Sequence, residues 1–236
     1  MIPWLADPAA FPPVESALDD PDGLLAAGGA LTPEWLLAAY RRGIFPWYSG
    51  DQPILWWSPD PRLVLVPAQI KISRSLAKTL RRGHFEVRFD SAFAAVVTAC
   101  AQPREPSGGT WITPAMQAAY LRMHEIGHAH SVETWCEGEL VGGLYGIALG
   151  RAFFGESMFS HRSDASKVAL AHLARHLESR GFAMIDCQMT TAHLLSLGAR
   201  EMPRRVFSEQ LATLTSAGDA PGKWPPDAGA GLFQAR

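Results

Sequence analysis

The chain has 236 residues, with 21 Lys and Arg against 23 Asp and Glu, and is 47% apolar and 19% charged. That is one large domain or two small ones with enough apolar surface for a core, which excludes a disordered chain. A net charge of −2 excludes blanket attraction to nucleic acid, so any polyanion has to meet a local patch. Pro3, Pro8, Pro12 and Pro13 interrupt the start, no basic segment leads an apolar run, and no signal peptide is expected. No apolar run is long enough to span a bilayer. Cys100, Cys136 and Cys187 are far apart with no CxxC pair, which reads as reduced thiols of a cytoplasmic protein and no zinc ribbon.

Residues 1–31 are rich in Pro, Asp and Gly and read as an extended arm. Thr32-Pro33 starts a helix that runs to Arg42 and stops at Gly43. The segments 44–48 and 54–62 hold Trp47, Trp56 and Trp57 between prolines, for packing or as a stacking surface for a base. Leu63–Val66 is a short strand. Ser73 then caps a helix to Arg82, closed by Gly83. Its cations Arg74, Lys78, Arg81 and Arg82 share one face, opposite Leu76, Ala77 and Leu80, and no acid interrupts them. Such a stripe is either a solvated face or a phosphate contact. Residues 85–89 alternate as a half-buried strand, Ser91 starts a helix to about Ala101, and Arg104–Gly109 is a loop. Thr113-Pro114 opens another helix with Met116, Tyr120 and Met123 on one face.

His124-Glu-Ile-Gly-His128 matches the H-E-x-x-H zinc pattern. That pattern needs both histidines on one stable helical face and a third ligand downstream. Gly127 weakens the turn and His130 is too close, so these are read as C-terminal-turn histidines, with no metal expected. Residues 131–159 make three consecutive antiparallel strands, turning at Glu137–Glu139 and Gly150-Arg151. The third strand carries Glu156 among Phe153, Phe154, Met158 and Phe159. A carboxylate there faces water on an edge strand, or it needs a donor or the mouth of a cavity. A long helix, capped by Ser163, Asp164 or Ser166, follows to Arg180. The next strand, 182–188, puts Asp186 and Gln188 on one face. Thr190 opens a short helix, residues 203–207 return as a final strand, Ser208–Leu214 is a last helix, and the tail from Ser216 is loosely held.

Several long motifs then carry a resemblance. Tyr40–Tyr48, Trp56–Arg62, Gly109–Thr113, Gly142–Gly146, Phe153–Ser160 and Ile185–Gln188 together resemble the bacterial leucyl/phenylalanyl-tRNA–protein transferases, in order over roughly residues 2–210. The His124–Ser131 segment is also similar to that family, which carries it without zinc. The resemblance implies an α+β fold: a small N-terminal α/β domain, residues 1–62, then a GNAT-like domain, 63–236, with a mixed, mainly antiparallel sheet. It implies transfer of Leu, Phe or Met from aminoacyl-tRNA to a protein with N-terminal Arg or Lys, marking it for degradation, by a monomer without cofactor.

Carried over by motif, Leu144, Phe153, Met158, Leu170, Leu177 and Ile185 line the pocket for the aminoacyl side chain. Glu156 contacts the substrate amine or the ribose end, and Trp47 and Trp111 flank the terminal adenosine with Tyr120 nearby. Asp186 and Gln188 handle proton movement and positioning, and Arg74, Lys78, Arg81 and Arg82 hold the acceptor stem. Family members often have Asn three residues after the Gln; this chain has Thr191, which lacks the amide donor. The chemistry is consistent, because an aminoacyl ester is already activated and orientation alone supplies ~7–11 kcal/mol. Asp186 is a plausible base or relay.

Strict alternation puts Phe153 and Glu156 on opposite faces, yet both belong at the site, so a β-bulge at Gly155 is expected. Three other enzyme classes compete: an acyl-CoA-dependent N-acetyltransferase, a zinc hydrolase through His124, Glu125 and His128, and a thiol enzyme through Cys187. Segment 160–166 lacks the glycines of a pyrophosphate loop and holds an acid, against the first. A non-enzymatic RNA-binding module is the remaining class.

Overall fold

The computed structural model describes residues 2–103, 110–216, 218–229 and 231–233; the loop expected over Arg104–Gly109 lies outside them. The first of two sheets takes β1 Trp4–Leu5, β2 Leu24–Gly28, β3 Phe45–Pro46 and β4 Leu55–Trp57 in the order β1-β2-β4-β3. The N-terminal segment is therefore more than an extended arm. Leu24, Leu25 and Ala26 are buried and make β2 an interior strand, a tertiary pairing that outweighs the local Pro and Asp content. Helix α1, Pro33–Tyr40, packs Trp35 flat over the fully buried Trp56 at 6.1 Å, with Phe11 edge-on to both. Trp56 is thus a packing residue.

The second sheet takes β5 Arg62–Leu65, β6 Glu86–Phe89, β7 Ala129–Cys136, β8 Glu139–Leu149, β9 Ala152–Ser160, β10 Met184–Gln188 and β11 Arg200–Met202. Its order is β11-β5-β10-β9-β8-β7-β6, and only the β9/β10 pair is parallel. The helices are α2 Arg74–Arg82, α3 Phe93–Cys100, α4 Pro114–Glu125, α5 Ala165–Ser179, α6 Ala192–Ser196 and α7 Arg204–Ser216. This is the mixed, mainly antiparallel α+β architecture expected. Alternation along the strands divides the core in two: Leu144, Phe153 and Ile185 pack with α5, while Tyr145, Ile147 and Phe154 pack with α1, α3 and α4.

What positions the site is the end of the parallel pairing. β9 and β10 run in register from Ala152/Met184 to Phe154/Asp186 and no further. Past that point both strands bulge. Tyr145 faces Ser157 and Gly146 faces Gly155, leaving Glu156 as the extra residue; Asp186 faces Val64 and Gln188 faces Leu63, leaving Cys187 extra. The bulge expected at Gly155 is present one residue on. Glu156 keeps the side of Phe154, facing Tyr40 of α1 and Tyr120 of α4, while Phe153 is on the α5 side; the extra residue shifts the alternation so that Met158 returns to the Phe153 side. Gly146 is the pivot, because a Cβ there would lie 2.1 Å from the Phe154 carbonyl oxygen and 2.6 Å from the Phe153 ring. Gly146→Ala is expected to destabilise the fold by ~1–3 kcal/mol in urea unfolding, as overpacking does.

Two end elements differ from the sequence reading. Residues 203–207 are not a strand: β11 ends at Met202 and α7 begins at Arg204, whose N–H is received by the Asp60 carboxylate at 3.0 Å. That helix start is capped from a distant turn, so no local capping residue announces it. The described tail is also held down. Trp224 is 5% exposed, its ring lies flat on His130 at 3.9 Å, and its N–H donates to Asp90 at 2.7 Å. Phe89 of β6 donates its N–H to the Pro226 carbonyl, so the tail covers part of this sheet edge.

Candidate active site

Glu156 occupies its bulge 8% exposed, in a ring of short hydrogen bonds. Tyr40 donates to Oε1 at 2.6 Å, Tyr120 donates to Oε2 at 2.6 Å, and the two phenol oxygens lie 2.7 Å apart. The Gln188 amide donates to Oε1 at 3.2 Å. Both phenols keep their protons, since burial and then the neighbouring Glu156 charge push their pKa values well above normal. Two phenol protons serve only two of the three short contacts. When Glu156 carries a proton, it can donate to one phenol, which then donates to the other, and all three contacts close. Burial pushes the Glu156 pKa up to about 7, against the pull of the two tyrosines and with the push of the Asp186 charge. A carboxyl poised there changes charge near neutrality, as a group that moves protons does.

Asp186 is built differently, in a setting that does not favour the expected role as base. It is fully buried, and its carboxylate is gripped by Arg62 on both oxygens, Nε at 2.8 Å and Nη2 at 2.7 Å. Oδ1 also accepts the Gln188 N–H at 2.9 Å. The Arg62 guanidinium is itself 1% exposed, held between the rings of Phe45 and Phe207 at 4.9 and 4.7 Å. A bidentate pair of this kind leaves the carboxylate no route to a substrate proton. It also holds the backbone of Gln188, which sits at φ 62° and whose amide reaches Glu156. Asp186 and Gln188 do not act side by side on one face, because the Cys187 bulge intervenes.

Between the splayed strands lies a hollow of about 470 Å³. Glu156 and Gln188 line it together with Leu144, Phe153, Met158, Leu170 and Ile185, and Trp47 and Trp111 stand on its wall. Three expected residues are absent from the wall: Asp186, sealed by Arg62, and two more. Leu177 is fully buried at the closed end, where its carbonyl receives Phe182 N–H just before the paired start of β10. Tyr120 is fully buried behind Glu156 and cannot touch an adenosine. Sequence reasoning missed Tyr40, Arg62, Phe45 and Leu173. A signal for Tyr40 existed, because an acid in an apolar strand needs donors and the chain has only four tyrosines.

The other motifs have bland places. Helix α4 ends at Glu125 and Gly127 turns at φ 82°, so His124 and His128 do not share a helical face. His124 is 2.8 Å from the Ala129 carbonyl and stacks on Phe93, while Glu125 pairs with Arg122. Burial, then the Asp186 charge, pushes the Cys187 thiol far above its ordinary pKa, against a thiolate nucleophile. Thr191 caps α6, accepting the Leu194 N–H at 3.2 Å, and lines the hollow. All four cations of α2 are exposed and have no ion-pair partner among the described residues.

A family model described as leucyl/phenylalanyl-tRNA protein transferase matches residues 64–212, and the model of that family's N-terminal domain matches 29–60. The chain belongs to the leucyl/phenylalanyl-tRNA–protein transferase family. A member from Aromatoleum aromaticum (strain DSM 19018 / LMG 30748 / EbN1) is 74% identical across 95% of this chain and 94% of its own length. One from Nitrosomonas europaea (strain ATCC 19718 / CIP 103999 / KCTC 2705 / NBRC 14298) is 60% identical across 95% of each. Among solved structures the chain is loosely similar to a GCN5-related N-acetyltransferase from Kribbella flavida, with a TM-score of 0.37, 12% identity, and coverage of 72% of this chain and 61% of that one. Membership in the leucyl/phenylalanyl-tRNA–protein transferase family leaves the acyl-CoA alternative disfavoured, and local geometry agrees. At the start of α5 the Ser166 N–H is received by Ser160, and the helix is preceded by an acid, Asp164, paired with Lys167, where a pyrophosphate loop has glycines.

Proposed function

We propose that this chain moves a leucyl, phenylalanyl or methionyl group from aminoacyl-tRNA to the N-terminal Arg or Lys of an acceptor protein, marking it for degradation. The acceptor amine attacks the ester carbonyl; a C–N bond forms, the C–O bond to the ribose breaks, and the amine's proton ends on the ribose oxygen. The observation that carries this reading is a buried carboxyl, Glu156, held by Tyr40, Tyr120 and Gln188 in the wall of an apolar hollow of about 470 Å³. Leu144, Phe153, Met158, Leu170 and Ile185 hold the aminoacyl side chain. One methylene changes affinity by only ~1–3 kcal/mol in such a pocket, so Leu, Phe and Met are accepted together. Trp47 and Trp111 flank the terminal adenosine. Glu156, not Asp186, takes the proton of the attacking amine, with Gln188 orienting it.

The reading takes the chain as a cytoplasmic monomer, divided at residue 62 into an N-terminal and a catalytic part. Among the described residues no helix is long and apolar enough to cross a membrane. The deciding assay is labelled leucine moving from charged tRNA to a peptide that begins with Arg; absence of a leucyl peptide overturns the reading. Helix α2 packs against α5, whose Leu170 and Leu173 wall the hollow, and this packing supports an acceptor stem held by its cations. Reversing Arg74, Lys78 and Arg81 together is expected to raise KM for Leu-tRNA and to flatten the log–log salt dependence by roughly 2–3 units, about 0.7–0.9 for each phosphate that is no longer neutralised. An unchanged slope assigns the acceptor stem elsewhere.

A further inference from the structure

Phe153 is fully buried and lines the hollow, so its ring is held by whatever meets the parts that face away from the hollow. Gly146 meets one edge, where a Cβ would lie 2.6 Å from the ring. Trp224 of the tail meets another, with ring centroids 6.0 Å apart and planes tilted by 32°, within the usual range of an aromatic pair. Trp224 is not part of the hollow's wall. It shares an apolar cluster with Leu144, Leu170, Leu173 and Ile185, and it bears on the hollow from behind, through Phe153.

The indole is itself fixed from several directions. It stacks on His130, and the His176 ring stands 4.6 Å away. One oxygen of Asp90 accepts the Trp224 N–H at 2.7 Å and lies 2.8 Å from His130 Nδ1, while the other accepts the Ser131 N–H at 2.9 Å. The chain is pinned on both sides of it: the Gly222 N–H donates to the Gly127 carbonyl at 3.0 Å, and the Pro226 carbonyl receives the Phe89 N–H at 3.1 Å. Covering the β6 edge needs only the Pro226 contact. The inserted indole does something more, because a side chain pressing on Phe153 from the hollow meets a ring that cannot retreat.

We propose that Trp224 is a positioning residue that holds Phe153 forward, sets the depth of the hollow and thereby the balance between leucyl and phenylalanyl groups. With the indole in place a leucyl side chain reaches the Phe153 ring. With the indole gone the ring settles back into the vacated space, and the shorter side chain loses its contacts while the longer phenyl ring keeps them. This rests on the transfer reading above and adds what fixes the depth of the side-chain pocket.

The experiment is transfer from Leu-tRNA and from Phe-tRNA to one peptide that begins with Arg, read as the ratio of the two kcat/KM values. Trp224→Leu is expected to shift that ratio toward Phe about tenfold, the effect of roughly one methylene of misfit. The ratio does not depend on how much enzyme is folded, so a merely structural role leaves it unmoved. Phe153→Leu is expected to shift it in the same direction. Adding Trp224→Leu to Phe153→Leu is expected to shift it no further, since the ring through which the indole acts is gone. Trp224→Phe, which keeps a ring on His130, serves where the leucine variant does not fold, and its shift has the same sign. An unmoved ratio in the Trp224 variants, or shifts from Trp224→Leu and Phe153→Leu that simply add, overturns the role. No leucyl transfer by the unsubstituted enzyme would instead overturn the transfer reading.

Discussion

Asp186→Asn and Arg62→Met are each expected to lower folding stability by ~3–5 kcal/mol, the usual result of stranding one member of a buried ion pair. Both side chains are essentially inaccessible, and the pair is bidentate at 2.7 and 2.8 Å. Neither partner can turn to water, so the loss falls on the fold itself. The informative variant is the double one, Arg62→Met with Asp186→Leu. A buried pair replaced by apolar side chains of similar volume loses little stability, so urea unfolding is expected to return toward the unsubstituted value. Leucyl transfer is not expected to return. The Gln188 N–H has lost its 2.9 Å acceptor, only the β10/β5 pairing is left to hold its backbone near φ 62°, and its amide is expected to lose Glu156. Residual activity in Asp186→Asn keeps the pH profile of the unsubstituted enzyme. If Asp186→Asn is stable and instead abolishes the rising limb of that profile, Asp186 is the base after all.

How much of this was legible in the sequence depends on whether the information was local. A bulge was expected so that Phe153 and Glu156 could share a face; it is present, but Glu156 stays on the Tyr40 and Tyr120 side and both reach the hollow where the strands part. Helix α2, with Ser73 at its start and Gly83 in the left-handed turn at its end, matched its signals at both ends. The Arg62–Asp186 pair was not readable. Its members are far apart in the chain, and nothing near Asp186 says that it is already neutralised. The same holds for the start of α7, capped by Asp60, and for the tail, where one tryptophan on His130 outweighs a Gly- and Pro-rich composition. Leu177 and Tyr120 were assigned to the right neighbourhood and the wrong side of the wall, since motif spacing carries no depth.

Glu156→Gln is expected to keep the fold and remove the pH dependence of transfer near neutrality. A glutamine reproduces the protonated carboxyl: its amide donates to one phenol, its carbonyl accepts from the other, and the ring of three short hydrogen bonds closes. The unsubstituted enzyme is expected to gain activity as pH rises through about 7, when Glu156 becomes a carboxylate able to take the amine's proton. The glutamine variant loses that limb and ~10²–10⁴ in kcat, the range of general-base assistance. His193, the other wall group that titrates in this region, has its pKa lowered by burial, and His193→Ala is expected to leave the limb in place.

Stability moves the opposite way to activity. The folded pKa of Glu156 lies above its ordinary value of 4.5, so between about 4.5 and 7 the folded state binds the extra proton. Stability then falls as pH rises across that window, with a total of ~3 kcal/mol at 1.36 kcal/mol per unit. His130, His172 and His176 are held neutral by burial and push in the other direction, gaining stability as pH rises toward 6.5. The two trends overlap in the raw curve, and the difference between Glu156→Gln and the unsubstituted chain isolates the carboxyl. That difference is expected to be near its minimum at pH 4, to grow through pH 7, and to level off above it. A flat difference across this range would mean that Glu156 titrates in the fold as it does in the unfolded chain, near 4.5, and the base would have to be sought elsewhere on the wall.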